Sequence, residues 1–408
     1  MNILLINHYA GSPYHGMEYR PYYLAKEWSQ KGHSVLIVAA SYSHIRTQQP
    51  KLNQTFIKND IIDGVNYRWY KTSEYSGNGI GRAKNIFNFL RALWKDSKNI
   101  INDFKPDVVI ASSAYPVDIW LAKRIAKRAN AKLVYEVHDL WPLSPIELGG
   151  MSRWHPFIIW CQLGENYAYR HADKVVSMLP KTLSHMVSHG MESNKFNYVP
   201  NGIAIEEWTS NEDLPKEIIS EVRRVKQRGL PIVAYAGTHG LANALDVLLD
   251  AAKLGKDKFE VILVGPGPDW LNLLKRVEAE EILNVTMLPA IPKNSIPLFL
   301  NEIDIAYIGL LPQPLFRFGI SPNKLMDYMY AAKPIIMAID AGNDPVTEVG
   351  CGVSVQPGDS NAIYDAMVTL INLTPEVRRK MGNKGKQFIL SEQTYSVLAQ
   401  RFINILEN

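Results

Sequence analysis

Along this chain, short uninterrupted apolar runs alternate with longer stretches whose apolar residues recur at helical spacing. Residues 2–7 (Asn-Ile-Leu-Leu-Ile-Asn) predict a buried strand. Residues 18–31 predict a helix, with Tyr23, Leu24, Glu27 and Trp28 at helical spacing and Gly32-His33 as its stop. Further strands are predicted over 34–39, 64–70, 108–111, 132–137, 174–178 and 196–199, most of them separated by helices. Apolar strands alternating with helices specify a parallel sheet covered on both faces.

The pattern then restarts. Val199-Pro200-Asn201-Gly202 reads as a turn, and a polar stretch over 209–229 follows. A second series of strands is predicted over 231–237, 259–265, 285–288, 303–308, 334–338 and 352–355. The expectation is an α/β protein of two Rossmann-like domains, 1–202 and 203–390. Residues 391–408 end the chain with a helix marked by Val397, Leu398, Phe402, Ile403 and Leu406. In such folds ligands bind beyond the carboxyl ends of the strands, so the loops just after strands carry the chemistry, and two facing domains would place those loops across a cleft.

Composition narrows the classes. With 408 residues, 47% hydrophobic and 21% charged, the chain is neither disordered, collagenous nor a coiled coil. Its two cysteines, Cys161 and Cys351, cannot build a disulfide framework or a cysteine zinc site, which fits a reducing cytosol. Apolar runs such as 334–339 are too short to span a membrane, and the N-terminal residues do not read as a signal peptide. A net charge of +4 is too weak to imply a nucleic-acid partner. The 20 Tyr and 9 Trp suit core packing, sugar stacking or a membrane interface.

Six loops hold the candidate chemistry. The first, 8–20, carries Gly11, Gly16, Glu18 and Arg20 ahead of a helix whose free amides suit an anion. It is not G-x-G-x-x-G, which disfavours a dehydrogenase. The second is Val137-His138-Asp139, a His-Asp pair at a strand end, where a carboxylate can set the imidazole tautomer. No G-x-S-x-G elbow accompanies it, so a hydrolase triad lacks its nucleophile. Gly237-Thr238-His239-Gly240 suits a phosphate, Gly265-Pro266-Gly267-Pro268 is a turn, and the loop 288–293 with Ile291 can offer backbone groups to a base. The sixth runs from Phe316 to Met329. Ser321 is read there as a helix N-cap, Pro322 as the first helical residue, and Lys324 as a cation where the helix dipole disfavours one, which implies an anion nearby.

Taken in order, these loops resemble the family 4 glycosyltransferases, retaining nucleotide-sugar enzymes of GT-B fold. The first loop, Gly32-His33, Val137-His138-Asp139, Val199-Pro200-Asn201-Gly202, Gly237-Thr238, Pro289-Ala290-Ile291-Pro292 and the stretch from Lys324 to Pro334 fall in family order across nearly the whole chain. The segment Ser321-Pro322-Asn323-Lys324-Leu325 resembles the branch that builds bacterial O-antigens and capsules, including N-acetyl-L-fucosamine transferases. The resemblance implies an acceptor-binding first domain, a second domain that binds a UDP-sugar, and a terminal helix that crosses back to the first. It implies donor contacts at Gly16, Gly237, Thr238, Gly265, Ile291, Arg317, Ser321, Asn323, Lys324 and Asp327, with Asp327 on the ribose. Acceptor contacts would come from Glu18, Arg20, His138 and Asp139, and catalysis from His138 and Lys324. No metal or other cofactor is implied, and the chain has no D-x-D triplet.

The chain departs from the family in two ways. The first of the family's two spaced glutamates is missing, its region being Phe316-Arg317-Phe318-Gly319. The family's Arg and Lys for the diphosphate are replaced by Thr238 and Asn243. Lys324, with Arg317, would then neutralise the diphosphate. A non-catalytic binding protein and a nucleotide-sugar epimerase of the same fold stay open as alternatives. The acceptor expected from the resemblance is a polyprenyl-diphosphate-linked sugar, met at the inner face of the cell membrane. Basic and bulky apolar residues mixed over 81–104, and again over 154–160, would hold the protein to that anionic surface.

Overall fold

A computed structural model describes residues 1–77, 79–209 and 213–408; the polar stretch expected over 209–229 thus lies partly outside the described residues. The chain divides into two compact units, Met1–Asn201 together with Tyr395–Asn408, and Gly202–Thr394.

The first unit is built on strands β1 (Asn2–Ile6), β2 (Ser34–Ala40), β3 (Ile57–Ile62), β4 (Val65–Tyr70), β5 (Val108–Ala111), β6 (Lys132–Val137), β7 (Lys174–Ser177) and β8 (Phe196–Tyr198). They order as β3-β4-β2-β1-β5-β6-β7-β8. All pair in parallel except β3, which runs antiparallel to β4 at the edge. The central strands are buried along their length, as a sheet covered on both faces requires. The strand β3 was not expected from the pattern. Its residues alternate between exposed and half-buried, so it lacks the apolar run that marks the others.

The second unit carries β9 (Ile232–Ala236), β10 (Glu260–Val264), β11 (Val285–Leu288), β12 (Ile305–Gly309), β13 (Ile335–Ala338) and β14 (Gly352–Ser354). Their order is β11-β10-β9-β12-β13-β14, all parallel. Apolar clusters fill both faces of this sheet, one around Ile262, Phe299 and Met337, the other around Leu248, Phe259 and Met367.

The terminal helix Tyr395–Glu407 packs on the helix Arg20–Gln30 of the first unit. Trp28 Nε1 donates to the Ala399 carbonyl at 3.2 Å, the Trp28 and Phe402 rings meet edge to face at 5.2 Å, and Tyr23 stacks on Tyr395 at 4.7 Å. Burying two large aromatic pairs ties the end of the chain to residues near its start.

Candidate functional site

In the first unit a buried ion network forms at the end of β6. Successive side chains of a strand point to opposite faces, so Glu136 and His138 share one face and Asp139 does not. Arg20 Nε donates to Glu136 Oε1 at 3.0 Å, and both side chains are almost fully buried. The remaining guanidinium nitrogens donate to the carbonyls of Val199, at 2.9 Å, and Pro200. Ser112, just beyond β5, donates to Glu136 Oε2 at 2.7 Å. His138 Nε2 lies 3.3 Å from the same carboxylate oxygen and 2.8 Å from Ser112 Oγ, while Nδ1 lies 3.6 Å from the partly exposed Glu18.

Burial opposes charge on both Glu136 and His138, yet the network outweighs it. The charge of Arg20, then that of His138, holds Glu136 down to about 2. The Glu136 charge and hydrogen bond, with Glu18 behind them, hold His138 up at about 9. The imidazole is therefore a cation at neutral pH.

Two expectations are corrected here. Asp139 does not orient His138; its carboxylate accepts from the Leu140 amide at 2.9 Å and from Ser144 Oγ at 2.5 Å, closing the following turn. Glu136 is the strand carboxylate that pairs with His138. Arg20 is not an acceptor contact, because it is buried and its nitrogens are committed to Glu136 and to two carbonyls. Glu136 is not among the residues expected from the sequence, although a glutamate inside an apolar strand two residues before a histidine is a visible signal.

The second site lies at the end of β9. The helix Asn323–Tyr330 is tied there by Tyr328, whose hydroxyl accepts from the Ala236 amide at 2.8 Å and donates to the Ala236 carbonyl at 3.1 Å. Residues four apart share a helix face, so Lys324 points to the same strand end. Its ammonium donates to Tyr235 Oη at 2.6 Å and to Asn243 Oδ1 at 3.0 Å. A Cβ on Gly237 would sit 2.9 Å from Lys324 Nζ, so the glycine makes room for the ammonium. Among the described residues no carboxylate pairs with Lys324, and burial pulls its amine down to about 8. Lys324 reaches Asn243 from a separate helix, 81 residues further along the chain.

Asp327 lies one turn further along the same helix. Burial raises its carboxyl to about 7, with Lys293 opposing and Glu207 adding to the shift. It therefore lies by the loop that carries Ile291 and ends in the 3₁₀ turn Lys293–Ser295. His239, not singled out in the sequence, is fully buried with both ring nitrogens unpartnered. Burial, then the charge of Lys324, lowers it to about 4, so it is neutral.

Several of the expected residues are held in ways the sequence pattern did not suggest. Gly16 has no helix amides beside it: the helix begins at Arg20, the Gly11 amide donates to the Glu18 carbonyl at 3.2 Å, and Gly16 at φ +80° packs on Thr47. Gly237 and Thr238 do not open a helix either, since a single 3₁₀ turn, Leu241–Asn243, comes next and the α-helix starts only at Leu245, and the Gly237 amide is committed to the Val264 carbonyl at 2.9 Å. Gly265 is explained by packing, because a Cβ there would collide with the Gly237 carbonyl. Ser321 is not the N-cap: that place belongs to Pro322, with no side-chain cap, and Asn323 is the exposed first helical residue. The approach to the helix is held instead by Asn343, which accepts from the Ile320 amide at 2.8 Å and donates to its carbonyl at 3.2 Å. Arg317 is exposed and closes its own turn, donating to the Pro314 carbonyl at 2.5 Å beneath the Phe318 ring.

Residues 15–202 match the glycosyl transferase 4-like domain, and residues 230–373 match the glycosyl transferases group 1 domain. No curated protein matches the chain by sequence. Among solved structures, HepE of Anabaena in complex with UDP is 16% identical, with 100% of each chain covered and a TM-score of 0.71. Sucrose-phosphate synthase from Thermosynechococcus elongatus is 14% identical over 99% of this chain and 98% of its own, with a TM-score of 0.71. The trehalose-6-phosphate protein of E. coli bound with UDP-2-fluoro glucose is 11% identical over 100% and 99%, again with a TM-score of 0.71. The fold they share with this chain is GT-B, two Rossmann-like α/β domains.

Proposed function

We propose, for a chain that carries a glycosyl transferase 4-like domain followed by a glycosyl transferases group 1 domain, that it is a retaining glycosyltransferase acting without a catalytic metal. Its donor is a UDP-sugar, with N-acetylated aminosugars the favoured class. Its acceptor is a polyprenyl-diphosphate-linked glycan of bacterial O-antigen or capsule assembly. The observation that carries this reading is Lys324: a largely enclosed ammonium with no carboxylate partner among the described residues, held by two neutral oxygens over a glycine. Such a cation is electrostatically incomplete and suits a diphosphate. That HepE of Anabaena has been obtained with UDP and with UDP-glucose supports the donor class.

In this reading the sugar–phosphate bond breaks with negative charge growing on the diphosphate, and Lys324 stabilises that charge as it forms. Asp327 holds the ribose and the Ile291 loop receives the base. His138, a cation at neutral pH, donates hydrogen bonds and has no free lone pair with which to take the acceptor's proton. The leaving phosphate is then the base, on the face from which it departs. Incubating pure protein with UDP-sugars, with and without a lipid-diphosphate-linked acceptor, tests this. UDP should be released only when acceptor is present, and EDTA should not abolish release. Donor turnover without acceptor would favour an epimerase or hydrolase, and no turnover with any donor a binding protein.

The acceptor's setting has its own support. In the helix Ile80–Asn99, Ile86, Phe89 and Leu93 face the core. Lys84, Phe87, Arg91, Trp94, Lys95 and Lys98 are exposed at helical spacing, a basic stripe with two aromatic residues. Trp154, Ile159 and Leu163 are exposed on and beside the helix Pro156–His171. Among the described residues no helix is long and apolar enough to cross a membrane. We assign these surfaces to peripheral attachment at the cytoplasmic face. Sedimentation should show binding to anionic but not neutral vesicles, weakening as salt shortens the reach of charge. Equal absence from both would remove the assignment.

A further inference from the structure

The first unit holds a cluster that the proposed chemistry does not use. Glu165 lies on the helix Pro156–His171, His185 on the helix Leu183–Ser188, and His189 directly after that helix. One ligand atom from each lies within 4.8 Å of the other two. Two histidines four residues apart on a helical turn, with a carboxylate from a second helix, form a donor set suited to zinc.

Each donor is held in place. The Glu165 carboxylate is almost fully buried; Oε1 accepts from Tyr169 Oη at 3.0 Å and lies 3.2 Å from His185 Nε2, and Oε2 accepts from Gln162 Nε2 at 2.8 Å. His189 Nδ1 lies 2.9 Å from the His185 carbonyl. A carbonyl can only accept, so Nδ1 carries the proton and Nε2 keeps its lone pair. A backbone carbonyl fixing the far nitrogen is how proteins set the tautomer of a metal-bound histidine. The rings of His185 and His189 lie 4.3 Å apart by centroid, and both are half-buried, which leaves a side open to water.

We propose that Glu165, His185 and His189 bind one divalent transition-metal ion of the zinc class, with water completing the coordination. Imidazole donors select zinc, cobalt, nickel or copper over magnesium and calcium, which prefer oxygen. The ion cross-links two helices. The second of these leads into β8, and the residues after β8 accept the hydrogen bonds of Arg20. The site is therefore a brace for the segment that holds Arg20 against Glu136. It takes no part in bond breaking.

Cobalt(II) is the probe for the test. The full chain, free of affinity tags and stripped with EDTA, is titrated with cobalt, and its melting temperature is read with and without zinc. One equivalent of cobalt should give the visible band of a low-coordinate site, zinc should displace it, and zinc should raise the melting temperature. His189→Gln, a half-buried change at a helix end, should keep the metal-free melting temperature while lowering cobalt affinity at least about tenfold. Glu165→Gln should lose binding as well. Lys324→Ala should bind cobalt normally, so failure of the donor-site reading leaves this result intact. Absence of the band in the unaltered chain, or equal binding by His189→Gln, would overturn the site and leave an ordinary Glu165–His185 ion pair.

Discussion

Lys324→Ala should lower transfer from the UDP-sugar at least about tenfold, equivalent to roughly 1.4 kcal/mol of transition-state stabilisation. The variant should fold normally. The side chain makes no ion pair with a carboxylate among the described residues, and its removal relieves an enclosed charge. Gly237→Ala should act in the same direction, because the added Cβ would sit 2.9 Å from the ammonium and push it aside. The pH dependence identifies the group. Burial holds the amine at about 8 in the free protein, and a diphosphate favours its charged form. UDP affinity should thus weaken as pH rises past 8. Calorimetry of UDP binding across that range checks the point: the alanine variant should bind weakly without the alkaline decline, and a decline of equal slope in both proteins would remove Lys324 from the site.

Glu136→Ala should destabilise the first unit by about 3–5 kcal/mol, the usual consequence of removing one partner from a buried ion pair. It strands the Arg20 guanidinium and the His138 imidazolium together. Urea unfolding followed by a probe in that unit reads the loss, and a change below about 1 kcal/mol, typical of exposed pairs, would contradict the network. The sign of the pH effect follows from the two shifts. His138 is raised from 6.5 to about 9, so its contribution is complete below pH 6.5 and is lost as pH rises through 9. Glu136 is lowered from 4.5 to about 2, so its contribution is present above pH 4.5 and is lost as pH falls through 2. The unfolding midpoint should decline between pH 6.5 and 9 in the unaltered chain, and much less in His138→Gln.

The strands illustrate what was legible without a structure. A strand buried on both faces must be a continuous apolar run, and β1, β6 and β10 are local facts of that kind. The edge strand β3 is not, since its alternation of polar and apolar residues is shallow. Its presence was encoded instead in Asp63-Gly64, where both residues take positive φ in the tight turn to β4.

The sites divide along the same line. His138 and Lys324 stand out as candidates from their places after a strand and at a helix start. Which groups they meet is not legible there. Asp139 is adjacent in sequence, but the pleat of β6 turns Glu136 to the imidazole, and Arg20 reaches that carboxylate from 116 residues away. Lys324 likewise finds Tyr235 and Asn243, 89 and 81 residues earlier, because Tyr328 docks one helix against one strand end. Residue type and local pattern are properties of a short stretch of chain, so the sequence by itself determined the α/β class and most of the strands, and marked the loops that follow them as candidates. Burial, and with it the charge state of His138, Lys324 and Asp327, depends on groups brought together from distant segments, and only the tertiary structure decided those.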